Sequence, residues 1–103
     1  MKKEIELYEV IYLLNPSFNQ QEISAKMEYY QNFLTCQGSQ VMVQNRGKRA
    51  LSYPIKGFES ANYIQMIYLG NGRTVTTLNQ EIKRDESIIR NITTKLPDKV
   101  QFT

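Results

Sequence analysis

The chain has 103 residues, with 13 Lys+Arg against 10 Asp+Glu, no His, no Trp and one Cys. That length suits one domain over residues 1–103, and 41% hydrophobic residues suffice for a modest packed core. Without His there is no His-based triad, His-containing zinc site or ordinary neutral-pH general base, and one Cys makes neither a disulfide nor a multi-Cys metal site, so no enzyme, cofactor or metal is expected.

Ile5 to Leu14 is rich in Ile, Val, Leu and Tyr, has apolar residues at both parities and is closed by Asn15-Pro16, which predicts a central strand. Asn19 with Glu22 three residues later resembles a reciprocal cap opening a helix. Ile23, Met27, Tyr30 and Leu34 then recur at helical spacing, and Gly38 supplies the C-cap. Cys36, at that helix end, reads as a small buried residue. Ser39 to Arg46 alternates as a second strand and continues loosely past Gly47, and Pro54 with Lys56-Gly57 marks a loop. Ala61 to Leu69 is a third strand and Gly70-Asn71-Gly72 a turn. Thr74 is the expected N-cap of a second helix that buries Val75, Leu78 and Ile82. Ile88 to Leu96 is a fourth strand, with Ile88, Arg90 and Ile92 at one parity, and residues 97–103 form a short tail after Pro97. No stretch approaches the ~20 apolar residues of a membrane span, and Met1-Lys2-Lys3 leads into acidic residues rather than a signal-peptide core. The chain is therefore expected to act where it is made, in a reducing compartment.

The order βαββαβ predicts an α+β, ferredoxin-like fold, a four-stranded antiparallel sheet with both helices on one face. Glu9 and Gln65 place Leu7, Ile11 and Leu13 of the first strand, and Tyr63 and Ile67 of the third, on the helix-free face. That apolar face either meets a protein partner or is covered by the tail or loops. Charge is uneven: residues 1–34 carry a net −2, residues 35–56 a net +4 with no acid, and residues 57–103 a net +1. The basic stretch holds Arg46, Lys48, Arg49 and Lys56 and suits phosphate, although a solvated loop would look the same. Lys2 and Lys3 precede the first strand, and Lys83, Arg84 and Arg90 bracket the end of the second helix, where cations also suit the helix dipole. Arg90, among apolar neighbours, reads as a packed stem with a specific partner. Tyr53 either stacks on a base or fills the core beside Pro54, and the residue pattern alone favours the core.

Gly47-Lys48-Arg49-Ala50-Leu51-Ser52-Tyr53-Pro54-Ile55-Lys56 resembles the signature of the bacterial-type small-subunit ribosomal protein number six family. Tyr8-Glu9, Asn15-Pro16, Gly38, Tyr63, Asp85, Ile88 and Arg90 extend the resemblance along the whole chain. Asn45 and Arg46 depart from it, since many members have an aromatic near this place. The resemblance implies a structural constituent of the small ribosomal subunit that binds the central domain of 16S rRNA together with the ribosomal protein numbered eighteen. It implies RNA contacts for Lys2, Lys3, Arg46, Lys48, Arg49, Lys56, Arg84 and Arg90, and a protein-partner face of Leu7, Ile11, Leu13, Tyr63 and Ile67. The acidic C-terminal extensions of some members are not expected after Thr103. With only three Ala and many Asn and Ile, the composition fits an AT-rich genome. A plastid (chloroplast) ribosome is therefore expected, or else a bacterial or cyanobacterial cytoplasm.

Three rivals share the topology. An RNA-recognition motif needs aromatics alternating with Gly on the third strand, which Tyr63 to Tyr68 lacks. A small acylphosphatase-type enzyme needs a phosphate loop with Arg, which Asn15-Pro16-Ser17-Phe18 does not offer. Gly70-Asn71-Gly72-Arg73 before the second helix could hold an anion but reads more simply as a turn. A regulatory domain binding a small ligand fits poorly with the basic 46–56 stretch.

Overall fold

A computed structural model describes residues 5–96. The elements run β1 (Glu6–Leu14), α1 (Gln20–Thr35), β2 (Val41–Ile55), β3 (Phe58–Gly70), α2 (Gly72–Lys83) and β4 (Ile88–Lys95). The strands form one antiparallel sheet in the order β2-β3-β1-β4. Both helices pack on one face, as expected for the ferredoxin-like arrangement. Val10, Tyr12 and Leu14 of β1 and Ile64, Met66 and Tyr68 of β3 meet Ile23, Tyr30 and Leu34 of α1 and Leu78 and Ile82 of α2.

Local chemistry explains the element ends. The Asn19 side chain accepts from the Glu22 N–H at 2.8 Å, and the Glu22 carboxylate accepts from the Asn19 N–H at 2.9 Å, so the reciprocal cap forms as its spacing predicts. The N-cap of α2 is Asn71, not Thr74: Asn71 accepts from the Thr74 N–H at 3.1 Å, and Thr74 is the third helical residue. The Gly70-Asn71-Gly72 stretch is thus both turn and cap. Cys36, not Gly38, is the C-cap of α1, and Gly38 makes the left-handed reversal just beyond it (φ 88°). Cys36 is exposed rather than buried, because it lies two residues, about 200°, around the helix from Leu34.

β2 does not stop at Arg46. Asn45 opposes Ile64 and Gly47 opposes Tyr63, leaving Arg46 as the extra residue of a bulge, with Gly47 at φ 93° and its N–H donating to the Asn45 side chain at 2.8 Å. A second irregularity between Ala50 and Ile55 accommodates Pro54, which has no N–H to give a ladder. Lys56 (φ 51°) and Gly57 (φ 85°) then make a two-residue turn between Ile55 and Phe58, both at the positive φ that a type I′ hairpin requires. Since β1 ends opposite Asn62, the paired stretch from Arg49 to Ala61 runs past it as a two-stranded arm.

Candidate nucleic-acid and partner-binding surface

The acid-free basic stretch runs from the Arg46 bulge into the arm. Gln44 and Gln65 are paired on the helix-free face, and Arg46 donates to the Gln44 side-chain oxygen at 3.0 Å. Arg49 opposes Ala61 and holds its guanidinium 5.3 Å from the centre of the Tyr63 ring, a cation–π contact that fixes the stem while the charge stays exposed. Lys48 points to the opposite face, opposing Asn62. Lys56, at the tip, shares a cleft of about 380 Å³ with Lys83, Arg90, Asp85 and Glu86. Lys83 thereby joins two of the sequence-predicted cations. The only sequence signal for this was its place in the last turn of α2. Arg84, the C-cap of α2, instead lines a separate cleft beside Glu81, Asp85 and Glu86. Arg46, Lys48, Arg49, Lys56, Arg84 and Arg90 are all exposed, and none forms a salt bridge among the described residues. Lys2 and Lys3 lie outside the described residues, as does the tail of residues 97–103.

The helix-free face is apolar as predicted, but parts of it are already covered. Leu13, Ala61 and Ile89 form a second buried cluster there, and Ile11, Leu51, Ile55, Phe58 and Tyr63 pack on it, so the arm lays its own apolar residues on the sheet. Of the predicted partner-face residues, Leu7 and Leu13 are buried at 6% and 7% exposure, whereas Ile11, Tyr63 and Ile67 are half-buried. Tyr53 is no core residue: Leu51 and Ile55 take the packed positions, and Tyr53 stays on the rim at 66% exposure. Together with Ile11, Ile92 and Arg90 it lines an apolar groove of about 240 Å³. Arg90 reaches both this groove and the cationic cleft. Ile88 does not share its face with Ile92. The register shift at Leu13/Leu14 turns Ile88 into the helix-side core, while Ile92, opposite Ile11, stays exposed.

Asp85, in the turn after α2, organises the other side. Its carboxylate accepts from Lys26 Nζ and Tyr30 Oη, each at 2.7 Å, and from the Ser87 N–H at 3.0 Å and hydroxyl at 2.5 Å. Burial works against the charge, but the hydrogen bonds from Lys26, Ser87 and Tyr30 outweigh it and hold the carboxyl at about 2. With its partners fully engaged inside the fold, this network ties α1 to the start of β4 and is not a reactive centre. No group of three or more His, Cys, Asp or Glu side chains suited to a metal occurs among the described residues.

Comparison with known proteins agrees with this geometry. Residues 7–95 match the family model described as ribosomal protein S6. The chain is 36% identical over 94 residues to the small ribosomal subunit protein bS6c of Guillardia theta, covering 90% of this chain and 98% of that one. It is 35% identical over 97 residues to the bS6 protein of Gloeothece citriformis, covering 93% of this chain and 54% of that longer one. The crystal structure of 30S ribosomal protein S6 from Thermotoga maritima superimposes with a TM-score of 0.83 over 90% of this chain and 89% of that chain, at 20% identity, and so shares the fold. The chain therefore belongs to the ribosomal protein S6 family, whose members are structural, non-enzymatic constituents of the small ribosomal subunit.

Proposed function

We propose that residues 1–103 act as a single domain that binds the central domain of 16S-type ribosomal RNA together with the ribosomal protein numbered eighteen. The observation that carries this reading is the basic stretch of β2: it runs from the Arg46 bulge and Lys48 beside the end of β1 into the arm with Arg49 and Lys56, and its cations have no acidic partner among the described residues. Such cations meet phosphate oxygens without first breaking an internal ion pair, and Arg can engage two oxygens at once. Lys2, Lys3, Arg84 and Arg90 extend the RNA surface in this proposal. The protein partner takes the apolar groove around Ile11, Leu13 and Tyr63, with the exposed Ile92 and Tyr53 at its edge. The plastid-type name of the Guillardia theta relative and the Ala-poor composition favour a plastid ribosome, and the Gloeothece citriformis relative keeps a cyanobacterial one in view.

The test is competitive assembly. Lys48→Ala with Arg49→Ala, mixed with wild type, should be under-represented in small subunits isolated on a sucrose gradient, while the variant stays folded, its urea midpoint lowered only by the loss of the Arg49–Tyr63 contact, about 1 kcal/mol or less. Equal incorporation of the two proteins would remove the RNA role assigned to the arm.

A further inference from the structure

A backbone irregularity marks the tip of the arm. Lys56 stands at φ 51°, the only residue other than glycine at positive φ among the described residues. A two-residue type I′ turn takes Asn-Gly or Gly-Gly far more readily, because a long side chain at left-handed φ crowds its own backbone. Here the turn keeps a lysine and accepts the strain. Such a local conflict between sequence and backbone points to a task for the side chain rather than for the fold.

The cleft beside the turn supplies that task. Lys56 from the turn, Lys83 from the last turn of α2 and Arg90 from β4 line one cleft of about 380 Å³. Three separate elements thus bring three like charges together, an arrangement that repels itself until an anion enters. The two acids of the cleft do not answer this charge. Asp85 is engaged by Lys26, Tyr30 and Ser87, and no ion pair joins Glu86 to any of the three cations among the described residues. Ile82, Ile88 and Ile89, each at most 7% exposed, also line the cleft, and such apolar walls strengthen the charge interactions beside them. Arg84, next in sequence to Lys83, lies outside it, in the neighbouring cleft.

We propose that Lys56, Lys83 and Arg90 form one seat for a single phosphate group of the RNA backbone. Arg90 can give two parallel N–H donors to its oxygens, and the two lysines act as point charges. Lys83 thereby joins the RNA surface, and Lys56 is kept in a strained turn for its ammonium group. That the phosphate comes from RNA rests on the ribosomal reading; the convergence of the three cations does not.

Two probes test the seat on the full chain. Inorganic phosphate at low ionic strength, followed by the side-chain signals of lysine and arginine in nuclear magnetic resonance, should move Lys56, Lys83 and Arg90 with one dissociation constant. Arg84 and Lys48 should stay in place. Lys56→Asn, which gives the turn its preferred pair, should remove the shift at Lys83 while the urea midpoint holds or rises. With a 16S-type RNA fragment, Lys56→Asn and Lys83→Gln should each weaken binding about fivefold and flatten the salt slope by about 1. The double variant should lose less than the two losses combined, because the seat acts as a unit. Phosphate that moves none of the three cations, or moves all surface cations alike, would overturn the seat. Shifts confined to the three, with unchanged RNA affinity in both variants, would overturn RNA as the source in favour of free phosphate. A urea midpoint lowered by Lys56→Asn would overturn the argument from strain. The phosphate titration is independent of the assembly test, so loss of the seat and loss of the ribosomal reading are told apart.

Discussion

At the residue scale, the core tyrosines separate into two kinds. Tyr30 is fully buried but donates to Asp85, and burial together with that bond raises its hydroxyl far above the ordinary range. Tyr12 and Tyr68 are equally buried, and their hydroxyls have no hydrogen-bond partner among the described residues; burial, the larger cause, pushes Tyr68 up to about 12. A buried hydroxyl without a partner costs free energy, so Tyr12→Phe should leave stability unchanged or raise it by about 1 kcal/mol. Tyr30→Phe should lower it, because Asp85 then loses a donor. Asp85→Asn should cost about 2 kcal/mol, since the bonds from Lys26, Tyr30 and Ser87 are charge-assisted. The Asp85 carboxyl is depressed in the fold, so its contribution is complete above the unfolded value near 3.8 and is lost as pH falls through about 2. Denaturant titrations at pH 6 and at pH 2 measure this: the gap between wild type and Asp85→Asn should narrow in acid.

At the element scale, stability concentrates at the ends. Asn71→Ala removes the α2 cap and should cost about 1 kcal/mol in a urea unfolding titration, whereas Thr74→Ala removes the weaker bonds of its hydroxyl, which accepts from the Asn71 N–H and donates to the Asn71 side-chain oxygen, each at 3.3 Å, and should cost less. The same region shows what could be read beforehand. The first cap was legible because Asn19 and Glu22 are followed by an apolar helical stripe. The second was displaced because glycines on both sides of Asn71 make it look like a turn, and a short Asn can serve either purpose. The strand faces were legible from Glu9 and Gln65, since alternation fixes a face wherever the ladder is regular. It failed at the three irregular places. Arg46-Gly47, the stretch before Ile55 and the Leu13/Leu14 shift each offset parity by a register that only the partner strand determines, which is why Ile88 parts from the face of Ile92 and why Leu51 and Ile55, not Tyr53, take the packed positions. The basic residues were visible as a run in sequence. The association of Lys56 with Lys83 and Arg90 was not, because the cleft they share is closed in three dimensions.

At the scale of the whole molecule, the small net charge of +3 conceals an internal division of labour. Glu6 pairs with Lys95 at 2.8 Å, Asp85 pairs with Lys26, and Glu9 is held by Gln65. These acids are engaged within the sheet and helices, while the cations of the arm face solvent. Such a field steers weakly at long range and acts mainly on contact. The isolated chain should therefore bind a 16S-type RNA fragment poorly, and the binding it shows should follow counterion release. Four cations of the basic stretch on phosphates correspond to a slope of log K against log salt of about −3 to −4. Lys48→Ala with Arg49→Ala should flatten that slope by about 2 and weaken different RNA sequences alike, because phosphate contacts carry no base identity. Fluorescence anisotropy across a KCl series gives both numbers. If the proposed pairing holds, adding the ribosomal protein numbered eighteen should tighten binding, and the slope should become steeper as more phosphates are engaged. Tight, salt-insensitive binding by the chain alone would mean that base contacts or stacking dominate, in which case the exposed Tyr53, rather than a cation of the basic stretch, would be the residue to substitute next.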